Sequence, residues 1–137
     1  MRPSLNESVE DYLETILVLS KKLPVVRAID IANELGYSKA SISVAIKNLK
    51  EKELIVVQEH GYISLTESGS ALATKVYERH LWFTNWLVSL GVDEEIASED
   101  ACRMEHALSE ESFEAIKQSI SIQTAVSRIL PDRDCWQ

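Results

Sequence analysis

The stretch RAIDIANELGYSKASISVAIKNLKEKELI, residues 27–55, constrains the fold more than any other part of the chain. Ala28, Ile31, Ala32 and Leu35 recur at helical spacing and make one short amphipathic helix. Gly36 ends it, because glycine enters the left-handed backbone region without a Cβ penalty. Ser38 is a good N-cap for a second helix, Lys39 to about Glu51, whose buried stripe is Ile42, Ala45, Ile46 and Leu49. Two short helices joined by a three- or four-residue turn with glycine make a helix-turn-helix.

The flanks extend the pattern. Leu54 to Val57 is β-branched, His60-Gly61 supplies a turn, and Tyr62 to Leu65 can return as a second strand. A hairpin in that place makes the helix-turn-helix winged. Upstream, Val9, Leu13, Ile16 and Leu17 predict a helix from Ser8 to Leu19, broken at Lys21-Lys22-Leu23-Pro24. Downstream, Thr66 caps a long helix, about Glu67 to Leu90, which Gly91 stops; Asp93 to Leu108 is a fifth helix and Glu110 to about Ile120 a sixth, capped by Ser109. The tail from Ser121 could hold a further short helix to Leu130, ahead of Pro131. The expected fold is mainly α: a winged helix-turn-helix over residues 1–66, then an all-helical domain over 67–137 with the long helix as linker.

Charge separates the same two halves. Lys21 to Lys52 holds seven basic and three acidic residues, a net +4, whereas Glu67 to the end holds six basic and thirteen acidic ones, a net −7. A basic front suits double-stranded DNA and an acidic back suits cations, although solvated helix faces have the same composition. The overall charge of −8 by itself speaks against nucleic acid. In the second helix Ser38, Lys39, Ala40, Ser41, Ser43 and Lys47 start or face the candidate recognition surface, with Arg27 just before the motif. Serine and lysine can bond phosphates, Ser41 or Ser43 can reach base edges, and Ala40 can touch a thymine methyl. No Arg or Gln offers a bidentate base contact there, so modest direct readout and a palindromic site read partly by shape are expected.

No apolar run approaches the roughly 20 residues of a membrane span, and MRPSLNESVEDY lacks the apolar centre of a signal peptide. No membrane partner is therefore expected, and a cytoplasmic location is the default. Two cysteines, Cys102 and Cys135, are too few for a disulfide framework and form no Cys-x-x-Cys pair. Gly-rich phosphate loops, nucleophile elbows and His-Glu-x-x-His are all missing, so no enzyme is expected.

Cys102, Glu105 and His106 in ASEDACRMEHALS stand at i, i+3 and i+4, one face of a helix if that run is helical. A thiolate, a carboxylate and an imidazole together are part of a transition-metal site. Asp11 and Glu14 on the first helix and His80 on the long one are further candidate donors. Each has a plainer explanation: acids near a helix start favour the dipole, a histidine beside an apolar stripe can be a core residue, and a lone cysteine packs as a small hydrophobe.

Ala-Cys-Arg-x-Glu-His followed one residue on by Leu-Ser, the Asp11/Glu14 pair, the helix-turn-helix at 27–51 and the long helix with His80 together resemble the diphtheria toxin repressor family. These are metal-dependent transcriptional repressors, including iron-dependent repressors and manganese transport regulators. The resemblance covers about residues 5 to 120 and implies a dimerising, metal-binding second domain. It implies a repressor of metal-uptake genes that binds palindromic operator DNA as a homodimer when loaded with Mn(II) or Fe(II), with Co(II) or Zn(II) substituting in vitro. By the same resemblance Cys102, Glu105, His106, Asp11, Glu14 and His80 are the metal ligands. The pattern is mixed: the iron branch has Met where Asp11 stands, the manganese branch Glu where Cys102 stands. Ser98 and Thr84 replace a His and a Glu of the iron-type ancillary site. The two-domain form without the SH3-like domain is expected. The competing reading is a winged-helix regulator answering an organic or redox signal through Cys102.

Overall fold

The computed structural model describes residues 5–127. Within them the order is α1 (Leu5–Lys22), α2 (Ala28–Leu35), α3 (Lys39–Glu51), β1 (Ile55–Val57), β2 (Ile63–Leu65), α4 (Glu67–Ser89), α5 (Glu94–Met104) and α6 (Glu110–Ser127). The chain divides into two compact units, one up to Glu78 and one from Arg79, so the division falls inside α4.

In the first unit α1, α2 and α3 pack around Leu13, Ile16, Ile31, Ile42 and Leu49, all essentially without solvent contact. Each such side chain contributes about 2 kcal/mol through burial. Gly36 takes φ 72° and its N–H closes α2 on the Ala32 carbonyl; Ser38 accepts the Ser41 N–H at 3.2 Å and opens α3. The turn between the helices thus forms as its residues dictate. At the other end of α3, Leu54 N–H bonds the Leu49 carbonyl and Glu53 N–H the Lys50 carbonyl, a Schellman closure. The left-handed position of that closure is held by Glu53, at φ 58°.

The antiparallel pair β1–β2 sets Ile55 opposite Leu65 and Val57 opposite Ile63, turning the buried ends of both strands inward. Ile63 N–H also bonds the Val26 carbonyl at 2.8 Å, which ties the hairpin to the segment between α1 and α2. Thr66 then caps α4, accepting the Gly69 N–H at 3.0 Å, while its hydroxyl donates to the Glu53 carbonyl at 2.8 Å. α1 runs three residues past the expected Leu19, to Lys22, and its last-turn lysines complement the helix dipole.

The second unit is organised by aromatic rings. Phe83 of α4 is fully buried and packs with Ala101 of α5 and Phe113 of α6, and Trp82 and Trp86 lie half-buried on that cluster. Trp82 meets Phe83 and Phe113 edge-on, with centroids 5.3 and 5.7 Å away, the arrangement that ring quadrupoles favour. Gly91, at φ 98°, stops α4. α6 continues through Ile120 to Ser127 without a break. Pro131 and Cys135 lie outside the described residues. No described helix is long and apolar enough to cross a membrane.

Candidate metal centre and nucleic-acid interface

The exposed face of α3 follows from its buried one. Ile42 and Leu49 point into the core, so Ala40, Ser43 and Lys47 point out, and Lys39 and Ser41 are exposed beside them. Ser38 is exposed too, but its Oγ is engaged as the cap and lies 3.1 Å from the Ser41 Oγ. Arg27 is preset by the wing: its guanidinium lies 4.9 Å over the Tyr62 ring and donates to the Tyr62 hydroxyl at 3.2 Å. The same residue's backbone N–H bonds Asp30 Oδ2 at 2.9 Å, which closes the first turn of α2. Tyr62 escaped the sequence reading, as a strand residue with no motif around it.

Asp11 and Glu14 sit three residues apart on α1, both half-buried, with carboxylate oxygens within 4.8 Å of each other. Tyr12 between them is buried and meets the Tyr37 ring edge-on at 6.2 Å. Burial above all, then Tyr37 and Asp11, pushes the Tyr12 hydroxyl above its ordinary pKa.

The second unit departs from expectation at α5. This helix ends at Met104, not at Leu108, although its C-cap Glu105 keeps αR backbone and its N–H bonds the Ala101 carbonyl at 2.9 Å. Cys102 is exposed on the last turn, Glu105 is the C-cap, and His106 lies in the turn that follows. Two causes act there. Ser109 must leave helical geometry to cap α6, where it accepts the Ser112 N–H at 3.1 Å. Arg79 Nη1 bonds the Glu105 and Leu108 carbonyls, at 3.2 and 2.8 Å, satisfying acceptors that a helix end would leave open. Only the first is visible in the local pattern of ACRMEHALS, as the Ser109 cap.

Three of the candidate donors, His80, Glu105 and His106, come together around one group, while Cys102 stays exposed. Glu105 has no solvent exposure; its Oε2 lies 2.9 Å from His80 Nδ1 and its Oε1 3.3 Å from His106 Nε2. The far nitrogen of His80, Nε2, lies 3.3 Å from Ser98 Oγ, and Thr84 Oγ1 donates to the His80 carbonyl at 2.7 Å. The two positions that depart from the iron-type pattern therefore both touch His80. A carboxylate withdrawn from water costs several kcal/mol unless positive charge compensates it. A buried carboxylate flanked by two imidazoles is a donor set that a divalent transition metal fits.

A winged helix-turn-helix, joined through one helix to a unit that buries such a donor set, defines a class: DNA-binding regulators that answer to a cation. The comparisons carry this further. Residues 4–62 match the iron-dependent repressor N-terminal DNA-binding domain, and residues 66–122 the iron-dependent repressor metal-binding and dimerisation domain. The transcriptional regulator MntR of Escherichia coli is 37% identical over 111 residues, 81% of this chain and 72% of that protein. An uncharacterized HTH-type transcriptional regulator of Methanocaldococcus jannaschii is 34% identical over 115 residues, 82% of this chain and 92% of that one. A manganese-dependent transcriptional repressor solved in complex with manganese superposes with a TM-score of 0.74 at 27% identity; it covers 92% of this chain, which spans only 55% of its length. The chain belongs to the iron-dependent repressor family, the metal-dependent transcriptional repressors also named for the diphtheria toxin repressor.

Proposed function

We propose that this chain represses metal-uptake genes by binding a palindromic operator as a homodimer when it carries Mn(II) or Fe(II). The observation that carries the metal reading is Glu105, fully buried and flanked by His80 and His106 inside the part that matches a metal-binding domain. The proposed ligand set is Asp11, Glu14, His80, Cys102, Glu105 and His106. The proposed domains are residues 1–66 for DNA and 67–137 for metal and dimerisation. The hard oxygens of Asp11, Glu14 and Glu105 favour Mn(II), and the Cys102 thiolate favours a softer ion such as Fe(II), Co(II) or Zn(II). The MntR name and the manganese complex among the relatives support the manganese side.

A bound divalent cation would add positive charge beside these carboxylates. Asp11 and Glu14 belong to α1, which packs beneath the helix-turn-helix, so whatever orders their side chains also restrains α1. Restraint before binding lowers the ordering entropy that a dimer spends in presenting two α3 helices one DNA turn, or a multiple of it, apart. Ser38, Lys39, Ser41, Ser43, Lys47 and Arg27 then hold phosphates and base edges, with Ala40 against a thymine methyl.

The test is fluorescence anisotropy on duplexes enriched from a random pool, with Mn(II), with Fe(II) under anaerobiosis, with Zn(II) and with chelator. Binding that rises with Mn(II) or Fe(II) and falls with chelator is expected. Equal binding in all four conditions would remove the metal-dependent reading.

A further inference from the structure

The most exposed large apolar side chain among the described residues is Val44, at 70%, ahead of Leu90 at 64%. Its place gives that exposure a meaning. At 100° per residue Ala40, Val44 and Lys47 run down the middle of the outward face of α3, opposite Ile42 and Leu49 in the core. A β-branched residue on a solvated helix face costs helix stability and gains no burial in the free protein. Lys47 stands on that face with Lys39 and Lys50 at its edge, which suits a polyanion, and the one acid of the helix, Glu51, falls in its last turn. Among base edges in the major groove, one feature is apolar: the thymine methyl.

We infer that Val44 is a specificity-determining residue, packing its methyl groups against a thymine methyl in each operator half-site. It adds an apolar base contact to the polar ones open to Ser41 and Ser43, whereas phosphate contacts position a protein without telling one sequence from another. The inference rests on the DNA-binding reading of α3 and adds the base that α3 selects. Ala40, one turn earlier on the same face, extends the apolar strip by a single methyl.

The experiment removes the methyl from the base and the two methyl groups from the side chain. The full chain, loaded with Mn(II), selects duplexes from a random pool, and each thymine of the selected duplex is replaced in turn by uracil, which differs only in lacking the methyl. At one position per half-site the wild type is expected to lose about fourfold in affinity, the worth of burying one methyl-sized group. Val44→Ala is expected to bind the thymine and uracil duplexes equally, and to keep its thermal stability or gain slightly, because alanine is the better helix former. Val44→Thr, which keeps one methyl, is expected to keep part of the discrimination. A wild type indifferent to uracil everywhere, or a Val44→Ala variant that still prefers thymine, overturns the inference. A variant that changes its oligomeric state while keeping the preference overturns it too, by assigning Val44 to protein contact. A wild type that retains no duplex at all overturns the underlying DNA reading instead.

Discussion

Gly69→Ala tests how α4 is seated. In an exposed helix this substitution gains about 1 kcal/mol, because glycine spends more backbone entropy on folding. Here the added Cβ would overlap the Leu54 carbonyl oxygen and stand 2.9 Å from its carbon, well inside the roughly 3.5–4.0 Å of an ordinary carbon contact. The obstacle is backbone on both sides, so no side chain can swing away. That carbonyl also accepts the Thr66 N–H at 3.0 Å, and Thr66 in turn caps α4. Overpacking of this kind costs about 1–3 kcal/mol, and loosening the Leu54–Thr66 bond about 1 kcal/mol more. After the propensity gain, a net loss of about 1–3 kcal/mol is expected. At roughly 4–8 °C per kcal/mol for a domain of this size, 2 kcal/mol lowers the melting temperature by about 10 °C. Calorimetry and urea unfolding followed by far-ultraviolet circular dichroism measure it, with Ser68→Ala, one residue away and exposed, as the control that should hold or rise. A Gly69→Ala protein that melts at or above the wild type would show the close approach to be energetically empty.

Three further outcomes follow from the geometry. Glu53→Gly should raise the urea midpoint, by about 0.5–1 kcal/mol in stability, since glycine relieves the left-handed strain of about 1–2 kcal/mol while adding some unfolded-state entropy; an unchanged or lower midpoint would mean that the Glu53 side chain stabilises its own turn. Glu105→Gln keeps the shape but not the charge between His80 and His106, and titration calorimetry should show Mn(II) affinity lowered by at least about tenfold; undiminished affinity would place the metal elsewhere. Lys47→Ala should weaken all duplexes alike and reduce the slope of log affinity against log salt by about 1.8, two lysines being lost per dimer; a loss confined to the selected sequence would mark Lys47 as a base reader.

Where a signal is local, the sequence carried it. Gly36 and Ser38 fix the turn between α2 and α3, and α3 ends at Glu51 as its apolar period implies. Thr66 and Gly91 bound α4 because a hydroxyl cap and a left-handed glycine act within a few residues. The α5 terminus was hidden for the opposite reason. Besides the Ser109 cap, which is local, a guanidinium from α4 some twenty-six residues away in sequence holds that terminus, and periodicity cannot register a partner at that distance. The seat of Gly69 against Leu54 and the grip of Tyr62 on Arg27 are likewise contacts between elements. The candidate donors stand in the sequence as residue types, Glu105 and His106 above all. Which of them meet was not legible, because the burial of Glu105 between His80 and His106, with Cys102 left exposed, depends on packing between elements.

The aromatic cluster of the second unit has a consequence for observing the molecule. Both tryptophans of the described residues, Trp82 and Trp86, belong to the unit that starts at Arg79, and all four tyrosines, Tyr12, Tyr37, Tyr62 and Tyr77, to the unit that ends at Glu78. The chain is thus colour-coded by its own side chains. Indole emission excited at the red edge reports the second unit, and phenol difference absorbance reports the first, with no dye and no added tag. If the two signals move at different denaturant concentrations, the long shared helix joins two independently melting bodies; if they move together, it transmits their stability from one to the other.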